Sequence, residues 1–180
     1  MTAAGVATTR ILGIDPGSRI TGYGLIEASA GRSRYIAHGV IKLDQDSMPH
    51  RLLALLVGLR ALIHEHQPQE VALEEVFVRR NVASALVLGQ ARGVAICAVA
   101  EAGIPLHEYA PASIKLAVAG NGRAEKPQIQ KMVKALLNLP AIPATDAADA
   151  LACALCHAHS RTMKLHTAKT GKGHDKGGWG

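Results

Sequence analysis

Asp146 and Asp149 are two acids, three residues apart, that indicate a candidate functional site. They open an apolar run, 150–155, that is typical of a buried helix. Residues three positions apart lie on one face of a helix, so both carboxylates are expected to face the same way. Burying ionised carboxylates is costly unless a cation accompanies them. The pair therefore predicts either a cation site or a helix N-terminus, where Thr145 could cap and aspartate favours the helix dipole.

Two further segments place acids at the edge of apolar runs. Asp15 ends the run 10–15, just before Pro16 and Gly17, and Glu74 lies near the end of the run 70–77. The ends of neighbouring parallel strands open onto the ligand crevice of an α/β sheet, so these acids are expected to meet. Side chains alternate along a strand, so Glu75 points to the opposite face from Glu74. The alternatives are a turn-forming aspartate before proline and an exposed strand-end charge.

Converging carboxylates have a defined chemistry. Their mutual repulsion raises their pKa values unless a cation neutralises them. A site made only of oxygen ligands favours Mg²⁺ or Mn²⁺ over Zn²⁺. Two such ions can activate a water and stabilise the leaving oxygen when a phosphodiester is hydrolysed, and no serine or cysteine nucleophile is needed.

The order of strands and helices along the chain indicates the fold that would bring these acids together. Apolar patterns and turn residues predict three consecutive strands, then helix, strand, helix and strand, and finally three helices. The fourth strand follows a crossover helix and should therefore pair in parallel with the first. This order predicts an α/β protein with a ribonuclease-H-like fold, in which a mixed five-stranded sheet is flanked by helices. The predicted strands are 10–15, 20–26, 33–43, 70–77 and 104–109, and the predicted helices are 49–66, 81–101, 111–118, 125–138 and 146–160.

Length and charge predict one domain between two less ordered ends. The chain of 180 residues suits a single domain, here 10–160, with a flexible N-terminus over 1–9. Residues 161–180 are basic and glycine-rich and are expected to be a disordered tail. That tail carries +4 of the formal net charge of +6, which leaves +2 on the remainder. Net charge alone therefore supports nucleic-acid binding only weakly.

The first residues resemble no secretory signal, no stretch is predicted to span a membrane, and the three cysteines lie in helical patterns. A cytoplasmic location is therefore expected. Cys153, Cys156 and His157 fit a haem-attachment pattern, and His159 adds a zinc-like spacing. Because the cysteines continue the buried face of the last helix, they are expected to be small core residues instead.

The motifs together resemble the RuvC family of crossover-junction endodeoxyribonucleases over about 10–160. The resemblance implies a homodimeric, Mg²⁺-dependent nuclease, with Mn²⁺ able to substitute and two ions in each active site. It implies that Asp15, Glu74, Asp146 and Asp149 are the catalytic, metal-binding acids. The motifs that carry the resemblance are GIDPGSRITGYG at 13–24, EEVF at 74–77, ALVLGQARGV at 85–94, AEK at 124–126 and DAADAL at 146–151.

The same resemblance implies how such a nuclease meets DNA. It implies resolution of Holliday junctions by symmetric nicking of two strands of like polarity, leaving 5′-phosphate and 3′-hydroxyl ends. A preference for thymine-containing sites and cooperation with the RuvA–RuvB branch-migration complex are also implied. Phe77 resembles a residue that stacks on an unpaired base, although a single phenylalanine is often a core residue. The other implied DNA-contacting residues are Arg79, Arg80, Lys115 and Lys126, for which a solvated surface position is the alternative.

Three other classes of protein share part of this pattern. An actin-like or sugar-kinase ATPase has a similar first strand and turn, but it needs two domains of this fold. A nuclease of the ribonuclease-H superfamily that acts on RNA or RNA/DNA hybrid remains an alternative. A non-catalytic junction-binding module is disfavoured, because four carboxylates repel phosphate unless they carry metal.

Overall fold

The computed structural model describes residues 8–29, 31–75 and 82–170. A five-stranded mixed sheet with the order β3-β2-β1-β4-β5 forms the centre of the molecule. The first three strands are antiparallel neighbours, whereas β4 pairs in parallel with β1 and β5 with β4. The predicted mixed sheet and its parallel β1–β4 pair are therefore confirmed. The strands are β1 (Thr9–Asp15), β2 (Ile20–Ser29), β3 (Arg32–Lys42), β4 (Glu70–Glu74) and β5 (Leu106–Tyr109).

Helices cover both faces of this sheet. Alternating residues of β1 and β4 bury Leu12 and Leu73 on the face covered by the first two helices, and Ile11 and Ala72 on the face covered by the other three. Each face therefore has its own apolar core, and an acid at a strand end falls on one face or the other. The helices are α1 (Met48–His66), α2 (Val82–Glu101), α3 (Pro111–Ala119), α4 (Lys126–Leu136) and α5 (Thr145–Thr170).

Glycines bring α5 unusually close to the sheet. A Cβ atom on Gly13 of β1 would lie 2.0 Å from the carbonyl oxygen of Ala150, and one on Gly22 of β2 would lie 2.0 Å from that of Asp146. Real Cβ atoms do not approach so closely, so only glycine permits this backbone-to-backbone packing. The helix that carries Asp146 is thereby set directly on the strand that ends at Asp15.

Both ends of the domain differ from the sequence-based expectation. The last helix was expected to stop near Ser160, but α5 continues to Thr170, so the first half of the predicted disordered tail is helical. Residues 161–170 include no glycine or proline that would end a helix, and the first glycine follows at 171. At the other end, Thr9 already belongs to β1. Residues 1–7 and 171–180 lie outside the described part of the chain.

The start of α5 also differs from the prediction. Thr145 was expected as a possible cap, but it is the first residue of the helix. The carbonyl of Ala144 accepts a hydrogen bond from the amide of Ala148 at 2.8 Å, which is the first turn of the helix ladder. Asp146 consequently lies in the first turn, where the free amide groups favour a negative charge.

Contrary to the expectation that no segment could span a membrane, α2 is long and apolar enough to do so by length and composition. Its Ala91, Ala95, Ala98 and Val99 are buried in the apolar core that α2 shares with α1 and the sheet. Much of its remaining surface is exposed, including Val82 and Leu86 at 75 % and 65 %. α2 thus carries more apolar residues than its packing within the chain buries.

Candidate active site

Asp15 and Glu74 lie at adjacent strand ends, as predicted. They are the last residues of β1 and β4, and the parallel register pairs the residues directly before them, Ile14 and Leu73. Both occupy the face of the sheet that α5 covers, because they alternate with Ile14 and Leu73 on the opposite face. Two carboxylates from sequence-distant segments therefore meet at one edge of the sheet.

The first turns of α5 bring two more acids to this edge. Asp146 and Asp149 are both half-buried, and the close packing of α5 on Gly22 places the backbone of Asp146 beside β2, the antiparallel partner of β1. Nζ of Lys126 lies 3.2 Å from Oδ2 of Asp149. The spacing of three residues thus puts both aspartates on the side of the helix that faces the strand ends.

A pocket of about 260 Å³ opens between these elements. Three acids and two lysines contribute its polar wall, and α3, α4 and α5 add apolar side chains. Asp146 is not part of the wall, although its charge reaches Asp15 and Asp149. The pocket is lined by Asp15, Glu74, Pro111, Ile114, Lys115, Lys126, Ile129, Asp149 and Ala152.

The crowding of these acids changes their protonation. Burial and the neighbouring Glu74 carboxylate raise the pKa of Asp15 to about 8. Burial and the charge of Asp149 likewise raise the pKa of Glu74 to about 7. Burial also raises the pKa of Asp149, although Lys126 opposes the shift. Carboxylic acids with such pKa values hold protons near neutral pH unless a cation displaces them.

Lys126 and Lys115 supply the positive charge of the pocket. Burial alone would lower the pKa of Lys126, but the carboxylates of Asp149, Asp15 and Asp146 together outweigh it and the pKa is raised. The charges of Lys126 and Lys115 both lower the pKa of Glu74 against the larger effect of its burial. Lys126 starts α4 and Lys115 lies in α3, so two different helices direct cations at the acids.

The remaining predicted residues divide into two groups. Glu75 is exposed, and its amide donates a hydrogen bond to the carbonyl of Tyr109 at 2.9 Å, while Glu74 lines the pocket. This places Glu74, and not Glu75, beside the other acids. Phe77, Arg79 and Arg80 lie outside the described residues.

Sequence patterns missed the apolar part of the pocket. Ile114, Ile129 and Ala152 line it but read as ordinary core positions on their helices. Ala152 lies three residues after Asp149 on α5, so the helical spacing could have indicated it. Pro111 begins α3 and carried no comparable signal.

A second polar cluster lies at the other end of β4. Glu70, His107 and His157 bring ligand-type atoms within 4.8 Å of one another. Glu70 begins β4 whereas Glu74 ends it, so this cluster is separate from the four acids. Cys153 and Cys156 nearby are buried free thiols, in agreement with the expectation that they are core residues.

The arrangement can bind divalent cations and a phosphate between them. Its ligand atoms are carboxylate oxygens, the donors that Mg²⁺ and Mn²⁺ prefer. The two lysines can balance the charge of a phosphodiester brought to the same pocket. A pocket of this kind, open at a sheet edge, suits hydrolysis of a backbone phosphate.

Three comparisons with known proteins agree with this geometry. The family model described as "Crossover junction endodeoxyribonuclease RuvC" matches residues 11–157. A protein of that name from Halorhodospira halophila is 57 % identical over 165 residues, which cover 91 % of this chain and 98 % of that protein. Its namesake from Alkalilimnicola ehrlichii is 52 % identical over 162 residues, which cover 90 % and 98 %.

A solved structure gives the same fold. "T. thermophilus RuvC in complex with Holliday junction substrate" superposes with a TM-score of 0.81 at 34 % sequence identity, covering 87 % of this chain and 96 % of that chain. The predicted ribonuclease-H-like architecture is thereby confirmed. With a family model over most of its length and relatives above half identity, this chain belongs to the RuvC family of crossover-junction endodeoxyribonucleases.

Proposed function

We propose that this protein resolves Holliday junctions by hydrolysing one phosphodiester bond in each of two strands of like polarity. The products would carry 5′-phosphate and 3′-hydroxyl ends, as recombination and repair of DNA require. The observation that carries the proposal is the meeting of Asp15, Glu74 and Asp149 with Lys115 and Lys126 in one pocket. The similarity to a RuvC solved with a Holliday junction substrate adds the class of DNA.

The four acids are proposed to hold Mg²⁺, with Mn²⁺ as a substitute and two ions in each site. The donor set fits, because it consists of carboxylate oxygens, and burial and mutual repulsion raise the pKa values of Asp15 and Glu74 in a way that a bound cation would counteract. Bound ions of this kind activate a water and stabilise the leaving oxygen. Asp15 and Glu74 would hold them from the strand ends, and Asp146 and Asp149 from the first turns of α5.

Lys115 and Lys126 are proposed to act on the DNA phosphate. Lys126 extends a 65 % exposed side chain from the start of α4 to Asp149, so its ammonium group lies between solvent and the acids. A phosphate entering from solvent would meet this charge before it meets the carboxylates. Lys115, half-buried in the wall, would balance charge that develops on the phosphate.

The segment after Glu75 is proposed to contact the junction itself. Phe77 follows the acid-bearing strand by three residues and would stack on an unpaired base. Arg79 and Arg80 precede α2 and would bind backbone phosphates. All three follow directly from a strand that ends at the pocket.

A homodimer is proposed through α2. Its exposed Val82 and Leu86 are apolar, and Gly89 and Gly93 follow on the same side at helical spacing. A Cβ atom on either glycine would meet nothing within 4 Å, so packing in the protomer does not require glycine there. Glycine in a helix costs about 1 kcal/mol relative to alanine, and close approach of a second α2 would explain it. Two equivalent sites also match the two equivalent strands of a four-way junction.

Three further attributes are proposed from the family. A partner complex of the RuvA–RuvB type is proposed to deliver the junction by branch migration. A cytoplasmic location is proposed, because these reactions take place on chromosomal DNA. The cleavage-site preference is proposed to include thymine.

The deciding experiment is cleavage of a synthetic four-way junction beside plain duplex and RNA/DNA hybrid, with and without Mg²⁺. We expect paired nicks in the junction alone, and only with Mg²⁺. Asp15→Asn should lower the rate of nicking by at least about 10³-fold, because it removes an acid from the ion site. Junction binding should be kept, because the lysines proposed to contact DNA are unaltered. Preferential cleavage of the hybrid would favour the RNA-directed alternative. Junction binding without any cleavage would favour the non-catalytic module.

A further inference from the structure

The buried polar network around His157, at the middle of α5, has a geometry that links it to the acid site. His157 is only 2 % exposed, and its Nδ1 lies 2.6 Å from the hydroxyl of Tyr109. Its Nε2 is hydrogen-bonded to the carboxylate of Glu70. A neutral imidazole protonated at Nε2 satisfies both partners, since it donates to Glu70 and accepts from the tyrosine hydroxyl. Burial lowers the pKa of His157, which favours this neutral form.

Each partner of His157 belongs to a strand that carries or fixes an acid. Glu70 begins β4, the strand that ends at Glu74. Tyr109 ends β5, and its carbonyl accepts the amide hydrogen bond of Glu75 at 2.9 Å. His157 therefore connects α5 to β4, which ends at Glu74, and to β5, which is hydrogen-bonded to the residue after Glu74.

Arg161 and His107 complete the network. Nε of Arg161 lies 2.9 Å from the Glu70 carboxylate, one helical turn beyond His157. The ring of His107 stacks on that of His157 with centroids 4.3 Å apart and planes inclined by 23°. Lone pairs of nearly parallel rings do not converge on one point, and Glu70 is already paired with arginine. These contacts describe a hydrogen-bonded tie between elements and not an ion site.

The contacts of His157 hold α5 and β4 together against a repulsion within the acid site. Asp149 on α5 and Glu74 on β4 repel each other, and the charge of Asp149 raises the pKa of Glu74. The glycine contacts hold α5 against β1 and β2, which do not carry Glu74. In the described part of the chain, polar side chains that join α5 to the β4–β5 edge include His157, Arg161 and Ser160, and His157 alone contacts both strands through Glu70 and Tyr109.

We infer that His157 is a positioning residue for the acid site: by tying α5 to β4 and β5 it sets the distance between Asp146 and Asp149 on the helix and Glu74 on the strand. The inference rests on the proposed function, because it gives those acids a shared ion to hold. His157 itself lies two helical turns from Asp149, so it would position the acids without binding the ion.

The test compares His157→Phe, which removes both hydrogen bonds, with His157→Gln, whose amide can donate to Glu70 and accept from Tyr109. His159→Phe, two residues along the same helix and outside the network, is the matched control. The full-length chain is titrated with Mn²⁺ alone by calorimetry, without DNA. We expect Mn²⁺ affinity to fall roughly tenfold in His157→Phe and to stay within about twofold of the parent in the other two variants.

Junction cleavage at varied Mg²⁺ gives a second readout. The Mg²⁺ concentration for half-maximal cleavage should rise in His157→Phe, while junction affinity stays unchanged. Parental Mn²⁺ affinity in a folded His157→Phe would overturn the inference and leave His157 with a purely structural role. If that variant does not fold, Tyr109→Phe, which deletes one bond, is read in the same way. Failure of the parent to cut any junction would refute the proposed function, and the Mn²⁺ titrations would still decide the role of His157.

Discussion

Lys126 places a positive charge beside the acids, where a bound metal ion would also place one. Its ammonium group contacts Asp149, and its charge lowers the pKa of Asp15, Glu74 and Asp149 against the effect of their burial. Under the proposed function, ions held by the acids would neutralise the same carboxylates. Lys126 would then be free to bind a phosphate, so one side chain would have two roles.

This double role predicts a large effect on catalysis and a small one on stability. The Lys126–Asp149 pair is largely exposed on the lysine side, and such pairs contribute about 0–1 kcal/mol. Lys126→Met should therefore leave the free energy of unfolding nearly unchanged, yet lower the rate of junction cleavage at saturating Mg²⁺ about 100-fold. Lys131→Met, an exposed lysine on the same helix, is the control and should retain the parental rate. Equal rates for both variants would contradict the assignment.

The raised pKa values of Asp15 and Glu74 predict how ion binding depends on pH. An acid whose pKa is about 8 or about 7 is protonated at pH 6, so an entering ion must displace both protons. The affinity for Mg²⁺ should therefore increase as pH rises from 6 to about 8 and then level off. Calorimetry in buffers of different ionisation enthalpy would detect the released protons. An affinity that does not change between pH 6 and 8 would show that these carboxyls are already ionised in the free protein.

At the scale of elements, the decisive contact is between two backbones. The first turn of α5 lies on β2 at Gly22, and α5 crosses β1 at Gly13, so no side chain separates the acid-bearing helix from the sheet. Packing of this kind transmits any displacement of a strand directly to the helix.

A methyl group at Gly22 is therefore expected to disturb the site as well as the fold. The added Cβ would lie 2.0 Å from the carbonyl oxygen of Asp146, and backbone cannot rotate away as a side chain can. Gly22→Ala should cost about 1–3 kcal/mol of unfolding free energy, measured by urea denaturation. Its Mn²⁺ affinity should also fall, because Asp146 is pushed outwards. A stable variant with parental Mn²⁺ binding would show that the helix can yield without moving its acids.

Most of this arrangement could be predicted from local patterns, and the exceptions have a physical cause. Asp15 and Glu74 could be paired in advance, because apolar runs locate strand ends and a crossover helix makes the strands parallel. The contact of Lys126 with Asp149 and that of His157 with Glu70 join residues 23 and 87 positions apart, and no local pattern reports such distances. The extension of α5 to Thr170 differs from the prediction because the basic, glycine-rich composition of 161–180 indicates disorder, although no helix-ending residue precedes Gly171.

At the scale of the whole molecule, the surface of α2 is the feature that one protomer does not explain. Val82, Leu86, Gly89 and Gly93 lie on the outer side of this helix. The buried residues Ala91 and Ala95 lie on its opposite side. This helix covers the face of the sheet opposite to the pocket, so an interface along it would leave the wall formed by α3, α4 and α5 uncovered.

The dimer can be tested at Leu86, which is 65 % exposed. Leu86→Glu would bury a charge in the proposed interface, so sedimentation should shift from dimer to monomer at micromolar concentration. Ile142→Glu, which alters an equally apolar residue that is 51 % exposed before α5, is the control and should remain dimeric. The monomeric variant should nick junctions one strand at a time, losing paired cleavage. Unchanged sedimentation of Leu86→Glu would exclude this face of α2 as the interface.

The glycine contacts beneath α5 also bear on how this enzyme could be redesigned. The position of Asp146 is set by main-chain atoms of Gly13, Gly22 and the helix, and these contacts are indifferent to the side chains that face DNA. The cations that would meet a junction come from other elements, with Lys115 on α3 and Lys126 on α4. Under the proposed function, residues of α3 and α4 outside the pocket can therefore be varied in a library while the main-chain contacts that fix Asp146 stay constant.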